Sequence, residues 1–280
     1  MRRLKLVSEA REVVRPVSVC MIAIAVVACA MAGSGWHAGS LAMAGVLVVI
    51  AAILIFQVHR AVRYLRQQSR QVRRSAAEAE RHYVKVLWRI NHFVEGRDRF
   101  SAGHSQNVGR LAGLIARQLG LPEEQCRLLV LGGRLHDIGL LAVPEAVIQS
   151  RAEFGTEELR SVQKHSEVSY DVLKPLEMLG EVLPGIRYHH ERLNGTGYPA
   201  GLRGEQIPLA ARILAVADSY DAMTHDRAHR PAMSPLAAMR ELRRCCPAGY
   251  DPQCVEALAE VVNLRALEEA AAAREPACCA

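Results

Sequence analysis

A long stretch without charged side chains constrains this chain more than any other feature of its sequence. Between Arg15 and Arg60 there is no Lys, Arg, Asp or Glu. Residues 17–32 and 41–58 form two apolar runs, separated by a turn rich in Gly and Ser. About 20 apolar residues cross the hydrocarbon of a bilayer, so the second run is long enough, and the first is long enough if it includes part of the turn. The pattern predicts a two-helix transmembrane hairpin at residues 17–58, with a signal peptide or a re-entrant hairpin as the alternatives.

Basic residues flank the apolar interval on both sides. Residues 1–16 carry five basic and two acidic side chains, and arginines at positions 60, 63, 66, 70, 73 and 74 precede the first acid, Glu78. The large excess of Arg over Lys, together with much Ala, suggests a GC-rich bacterial genome. Because basic flanks stay in the cytoplasm, we expect both termini and the rest of the chain on the cytoplasmic side of a bacterial inner membrane, with the lipid bilayer as a partner. The flanks together outweigh the net charge of +6, so the remainder is net acidic. The basicity belongs to the anchor and does not indicate a nucleic-acid polymer as partner.

Residues 59–95 contain neither Gly nor Pro, and their arginines recur every three or four positions. This spacing predicts a single juxtamembrane helix. The simplest role of this helix is to supply the positive charge that flanks a transmembrane span on its cytoplasmic side. The alternative is a signalling helix or short coiled coil that makes a homodimer, with an apolar seam at Val84, Leu87, Ile90 and Val94.

The region from residue 96 to residue 270 shows helical periodicity and no alternating strand pattern, which predicts an all-α domain followed by a flexible tail at 271–280. We expect one helix to end at Gly120 and the next to run through Ile138 with Gly139 as its cap. Further helices are predicted at 156–174, 185–191, 209–224, 235–246 and 252–271. The glycine-rich residues 193–204 are predicted to form a loop.

Five histidines and two aspartates lie on the inward stripes of these helices or beside a residue that does. They are His104, His136, Asp137, His165, His189, His190 and Asp218. Each alone is more simply a satisfied core or surface residue, but a group of buried imidazoles and carboxylates needs a shared partner. Such ligands suit Mn, Fe, Co, Ni or Zn. Seven donors exceed one tetrahedral zinc site and favour two divalent ions bridged by Asp137. Two ions predict phosphoester hydrolysis by attack of a metal-bound hydroxide on phosphorus, with His136 and Asp137 as the catalytic pair.

Five segments in this order, "RDRFSAGHS" (97–105), "LHDIG" (135–139), "KHSEVS" (164–169), "YHHERLNGTGYP" (188–199) and "ILAVADSYDAMTHDRAHR" (213–230), closely resemble the HD-GYP branch of the HD-domain phosphohydrolases. The resemblance implies an HD-type helical bundle with a bi- or trinuclear iron or manganese centre. It also implies hydrolysis of cyclic di-GMP to pGpG, GMP or both.

Carried over by motif position, the resemblance makes all seven residues above metal ligands. Phe100 stands where an extra acidic ligand holds the third ion of the family, so a binuclear centre is implied. Arg227 and Arg230 match basic residues that contact substrate phosphate, a role suited to guanidinium. The loop residues implied to border the substrate cleft are Asn194, Gly195, Gly197, Tyr198 and Pro199. A protein contact is the alternative role for Tyr198.

Three positions depart from the family pattern. Leu140 replaces a Lys that usually reaches a phosphate, Asn194 replaces Asp, and Ala228-His229 replaces Pro-Tyr. Asn suits the same turn, whereas Leu140 removes a cation from a place where negative charge must be held. The sequence therefore predicts a membrane-anchored cyclic di-GMP phosphodiesterase. The alternatives are a catalytically weak module that binds the nucleotide or partner proteins as a scaffold or sensor, and a phosphohydrolase acting on another nucleotide.

Overall fold

The computed structural model describes residues 39–96, 102–148, 155–227 and 230–272. Within these ranges the chain forms α-helices and short 3-10 helices and contains no β-strand, which confirms the predicted all-α class. The chain divides into two compact units, Met1–Glu78 and Ala79–Ala280.

Helix α1 spans Gly39–Glu95 without interruption for 57 residues. It contains both the second apolar run and the predicted juxtamembrane helix. Within the described residues it is the one helix that is long and apolar enough to cross a membrane. The first apolar run lies outside the described residues, so the structure shows a single apolar helix where the sequence predicts a hairpin.

The second unit is built from nine further α-helices in the described ranges. They are α2 (His104–Gln118), α3 (Glu123–Leu135), α4 (Glu145–Ile148), α5 (Thr156–Gln163), α6 (His165–Leu173), α7 (Leu183–Tyr188), α8 (Leu209–Thr224), α9 (Pro235–Arg244) and α10 (Pro252–Ala272). A common core includes Ile115, Leu135, Leu214 and Leu258, all fully buried. Helices α2 and α3 approach closely because Gly109 and Gly133 face each other, and a Cβ on Gly133 would lie 2.6 Å from the Gly109 Cα.

The turn after α3 differs from the prediction. Helix α3 ends at Leu135, and a 3-10 helix covers Ile138–Ala142, so Gly139 lies inside this helix and does not cap α3. The reason is tertiary: Gly139 packs directly on the start of α6, where a Cβ would collide with the His165 carbonyl. Its N–H donates to Ser169 Oγ at 2.8 Å. The predicted helix at 156–174 is likewise two helices, α5 and α6, which meet at Lys164.

The predicted dimer seam is wrong at three of its four positions. Val84 and Val94 are 5% and 4% exposed, and Leu87 packs against the same core. Only Ile90, which is 38% exposed, remains available to another molecule. The last turns of α1 therefore use this face to complete the core of the second unit.

Candidate metal centre

The Asp137 carboxylate lies between two groups of histidines. Its Oδ2 atom is 3.2 Å from His136 Nε2 and 3.8 Å from His104 Nε2. Its Oδ1 atom is 3.2 Å from His165 Nε2 and 3.9 Å from His189 Nε2. Although burial opposes ionisation, His136 and His165 hold the pKa of Asp137 well below its usual range. One ionised carboxylate thus faces imidazoles on both sides.

Three of these histidines are oriented by the backbone in the same way. Each places Nδ1 against a carbonyl three residues earlier: His136 on Gly133 (2.8 Å), His165 on Val162 (2.6 Å) and His189 on Ile186 (2.6 Å). A carbonyl only accepts, so this contact fixes the proton on Nδ1 and leaves the Nε2 lone pair for the centre. His136 Nε2 is buried and has no hydrogen-bond partner among the described residues. A buried nitrogen in that state fits a metal ligand.

His104 is held by carboxylates on both of its nitrogens. Nδ1 donates to Asp221 Oδ2 at 2.7 Å, and Nε2 lies 3.2 Å from Asp218 Oδ1. Burial favours the neutral ring, yet the hydrogen bonds with Asp218 and Asp221 raise the pKa of His104 to about 10. A carboxylate behind a ligating histidine orients the ring and raises its basicity.

Asp221 is a residue of this site that the sequence analysis missed. It is 3% exposed and also lies 3.2 Å from His225 Nδ1. The available signal was its spacing, since a residue three positions after Asp218 on α8 returns to nearly the same helix face.

We expect Asp221→Asn to weaken metal binding by about 10- to 100-fold, because an amide supports the His104 imidazole less strongly than a carboxylate does. Titration of the metal-free protein with Mn(II), followed by calorimetry, measures this change. Asp171→Asn is the matched control, because Asp171 is exposed and pairs with Lys174 on the surface. Equal affinities for the two variants would contradict a supporting role for Asp221.

His190 joins the Oδ1 side of the centre. Its ring centroid lies 4.0 Å from that of His189 and 5.0 Å from that of His165, and Tyr198 stacks on it at 4.7 Å. Burial lowers the pKa of His190 to about 4. Burial, followed by the neighbouring His190, also lowers the pKa of His189 well below its usual value. Both rings are therefore neutral near pH 7, the form in which imidazole binds a metal, whereas His104 has to lose its proton when an ion binds.

The donor atoms form two sets that share Asp137. In each set the donor atoms lie within 4.8 Å of one another: one set is Asp137, His165, His189 and His190, and the other is His104, His136 and Asp137. Asp218 adjoins the second set through His104. The structure therefore brings all seven predicted residues into one cluster. Imidazole and carboxylate donors of this kind suit first-row divalent ions.

The Gly-Tyr-Pro loop folds back onto the histidine pair. Asn194 Oδ1 accepts from the Thr196 N–H at 3.0 Å, and the Tyr198 N–H donates to the His190 carbonyl at 3.3 Å. Gly197 is required there, because a Cβ would collide with Glu191. The contact between Tyr198 and His190 places this part of the loop at the metal cluster.

Glu191 fastens the same loop and was also missed by the sequence analysis. Its carboxylate is 2% exposed and accepts three backbone N–H groups, from Ala200 at 2.7 Å and from Gly201 and Leu202 at 3.0 Å each. Pro199 and its neighbours thereby follow a defined path next to His190.

We expect Glu191→Ala to destabilise the protein by about 1–3 kcal/mol or more, because it leaves backbone donors in a partly buried loop without their acceptor. Thermal unfolding of the purified protein, followed by circular dichroism, measures the change. Glu205→Ala is the control, since Glu205 is exposed near the same loop. An unfolding temperature that stays at the value of the Glu205→Ala protein would argue against this role.

The predicted phosphate-binding residues lie in a turn after α8. Backbone hydrogen bonds join Arg227 and Arg230 in both directions, at 2.8 and 3.1 Å. The Arg230 guanidinium contacts the Ala222 carbonyl and the Met233 sulfur, each at 3.0 Å. Their role toward substrate therefore stays a prediction. Phe100 and Ala228-His229 lie outside the described residues.

Comparisons with known proteins agree with this arrangement. A family model for the HD domain matches residues 90–254. The chain is 34% identical over 209 residues to the cyclic di-GMP phosphodiesterase response regulator RpfG of Xanthomonas campestris, covering 69% of this chain and 55% of that protein. It is 34% identical over 179 residues to 3'3'-cGAMP-specific phosphodiesterase 3 of Vibrio cholerae, covering 64% of this chain and 39% of that protein. The chain thus spans about half or less of the length of these relatives.

Two solved structures share the fold. A cyclic GMP-AMP specific phosphodiesterase of V. cholerae superposes with a TM-score of 0.51 at 20% identity, over 64% of this chain and 48% of that one. Bd1817, an HD-GYP-type protein of Bdellovibrio bacteriovorus, superposes with a TM-score of 0.50 at 19% identity, over 67% of this chain and 64% of that one. The structures show the shared fold, and the family match together with the five motifs leads to one conclusion: the chain belongs to the HD-domain family, in its HD-GYP branch.

Proposed function

We propose that the protein is a membrane-anchored, metal-dependent phosphodiesterase that hydrolyses cyclic di-GMP to pGpG, GMP or both. The observation that carries this proposal is the position of Asp137, whose two oxygens face two separate sets of imidazoles. Relatives named for cyclic di-GMP and for 3'3'-cGAMP support a cyclic dinucleotide as substrate.

The residues proposed to hold two ions, with Fe or Mn as the preferred metals, are His104, His136, Asp137, His165, His189, His190 and Asp218. Two such ions supply a water of lowered pKa and neutralise charge on the phosphate. Phe100 at the position of the family's extra acidic ligand supports two ions and not three.

The protein's own side chains supply orientation and substrate binding. Buried histidines with Nδ1 bonded to carbonyls keep their Nε2 atoms directed at the centre before any ion enters. We infer that Arg227 and Arg230 bind the phosphodiester. We also infer that one wall of the substrate cleft is formed by the loop residues Asn194, Gly195, Gly197, Tyr198 and Pro199. The stacking of Tyr198 on His190 supports this inference.

We also infer that the first unit anchors the protein in the inner membrane and that the domain at residues 96–270 lies in the cytoplasm. The apolar start of α1 and the arginines that follow it support this orientation. Both termini are then cytoplasmic.

The test is hydrolysis by the full-length protein in lipid nanodiscs, prepared without oxygen and loaded with Fe(II) or Mn(II). Cyclic di-GMP and 3'3'-cGAMP are supplied separately and in competition, and products are separated by chromatography. Turnover that depends on metal and prefers cyclic di-GMP is the expected result. Preference for 3'3'-cGAMP would make that nucleotide the substrate in place of cyclic di-GMP. If protein that holds two ions showed no turnover, the proposed phosphodiesterase activity would be refuted.

Leu140 supports a second candidate function, a weakly active module that binds the nucleotide or a protein partner. It is a half-buried apolar side chain three residues after Asp137, to whose carbonyl its N–H donates at 2.9 Å. Tight binding of cyclic di-GMP without turnover is the result that this alternative predicts.

A further inference from the structure

A second apolar stripe runs along α1 and shares only Ile90 with the predicted seam. Its members alternate in steps of four and three residues over five heptads, and we call them the heptad stripe. They are Val58, Val62, Leu65, Ser69, Val72, Ala76, Ala79, Tyr83, Val86, Ile90 and Phe93. Only Ser69 among them is polar. An apolar repeat of 3.5 residues per turn is typical of helices that pack in a left-handed coiled coil.

In the first unit, the stripe and most of the arginines occupy opposite faces of α1. Val58, Leu65 and Val72 are 59%, 65% and 66% exposed. At 100° per residue, four of the six arginines between positions 60 and 74 fall on the other side of the helix, whereas Arg66 and Arg73 lie beside the stripe. Helix α1 is therefore amphipathic here, with an apolar face that no described residue covers.

In the second unit, the stripe lies away from the core. Tyr83, Val86 and Phe93 are 60%, 37% and 77% exposed, whereas Val84 and Asn91 on another face are buried. The core of this unit thus accounts for one face of α1 and leaves the heptad stripe open. A contiguous row of exposed large apolar side chains marks an interaction surface.

We propose that the heptad stripe packs against the same stripe of a second copy of the chain in a parallel two-stranded coiled coil. Two copies inserted in one membrane in the same direction present identical stripes at the same height. A surface that meets its own copy about a twofold axis has to be self-complementary, and an unbroken heptad repeat meets that condition.

The flanking charges permit this pairing. In the register set by the stripe, Gln68 of one copy lies opposite Arg73 of the other, and Ala61 lies opposite Arg66. None of the flanking pairs along the stripe joins two like charges, although α1 is rich in arginine. Because residues beside a coiled-coil seam set partner choice, the absence of repulsion favours a second copy.

The available area is sufficient. The eight large apolar side chains of the stripe expose on the order of 800 Å² per copy, so a pairing that covers most of this surface approaches the roughly 800 Å² that each partner contributes to a standard stable interface. The proposal does not depend on the proposed catalytic activity, because a protein without turnover would expose the same stripe.

The test is photo-crosslinking of the full-length protein in its native membrane. Benzoylphenylalanine is placed at Val72 or Val86 on the stripe, and at the exposed off-stripe residues Arg70 or Lys85 as matched controls. Two co-expressed versions with different tags identify an adduct as two copies of this chain. We expect light-dependent dimers at Val72 and Val86 and only background at Arg70 and Lys85. Equal adducts at all four positions, or adducts only with lipid or another protein, would overturn the proposal.

A second measurement guards against a folding defect. Val72→Glu combined with Val86→Glu is expected to reduce co-purification of the two tagged versions to background, whereas Arg70→Glu leaves it unchanged. The metal content of each protein reports whether the second unit is still folded. Undiminished co-purification of the double variant with normal metal content would refute the coiled coil.

Discussion

Asp137→Asn is expected to lower the turnover of cyclic di-GMP by at least about 1,000-fold. Removing one electrostatic contact to a reacting group costs roughly 100- to 1,000-fold, and Asp137 supplies both of its oxygens to the cluster. Asn has nearly the same shape but carries no charge, and it offers one oxygen where the carboxylate offers two. On its nitrogen side, the amide offers no lone pair to an ion that the neighbouring imidazoles would bind.

Turnover and bound metal are measured on the same preparation of the full-length protein. We expect metal content to fall together with turnover, because Asp137 belongs to both donor sets. The exposed Asp171→Asn serves as the control for removing a carboxylate elsewhere. A loss of turnover of about tenfold or less would be smaller than the loss that follows removal of one electrostatic donor. In that case the bridging position of Asp137 would not matter for the reaction.

Leu140→Lys is expected to raise turnover by about 10- to 1,000-fold, since a cation that stabilises developing negative charge contributes about 2–4 kcal/mol. Leu140 is half-buried in the 3-10 helix Ile138–Ala142, directly after the His-Asp pair. We expect a lysine there to reach a substrate phosphate with its flexible ammonium, as the family pattern implies. The wild-type protein would then be a slow enzyme for lack of this one charge.

Leu141→Lys is the matched control, because Leu141 is the next residue and is 47% exposed. The rate constant for turnover and the affinity for cyclic di-GMP are measured for both variants. A large rise in turnover for Leu140→Lys alone, with affinity almost unchanged, would favour the view that the natural protein serves as a binding module. If turnover did not rise in protein that holds its metals, charge at position 140 would not be the limiting feature.

The sequence by itself determined the helical class of the second unit and seven residues of the cluster. Helix periodicity is a local property, so α2, α8 and α10 could be located from apolar spacing alone. The histidines and aspartates could be grouped because a polar side chain on a buried helix face requires a partner. Metal binding by these side chains, and hydrolysis of a phosphodiester by the protein, stay predictions from the sequence and the site together.

The tertiary structure decided what depends on contacts between distant residues. His104 and Asp221 are separated by 117 positions, and no local pattern shows that they share a hydrogen bond. The sequence analysis placed the end of α3 too late, because the close approach of Gly139 to α6 is a contact between distant residues and leaves no trace in the local apolar pattern. Which face of α1 is free was also undecidable from the helix alone, since Val84 and Val86 are equally apolar and only packing buries the first and leaves the second exposed. Local spacing records which residues are apolar, but the partners that bury or orient them are set by the three-dimensional fold.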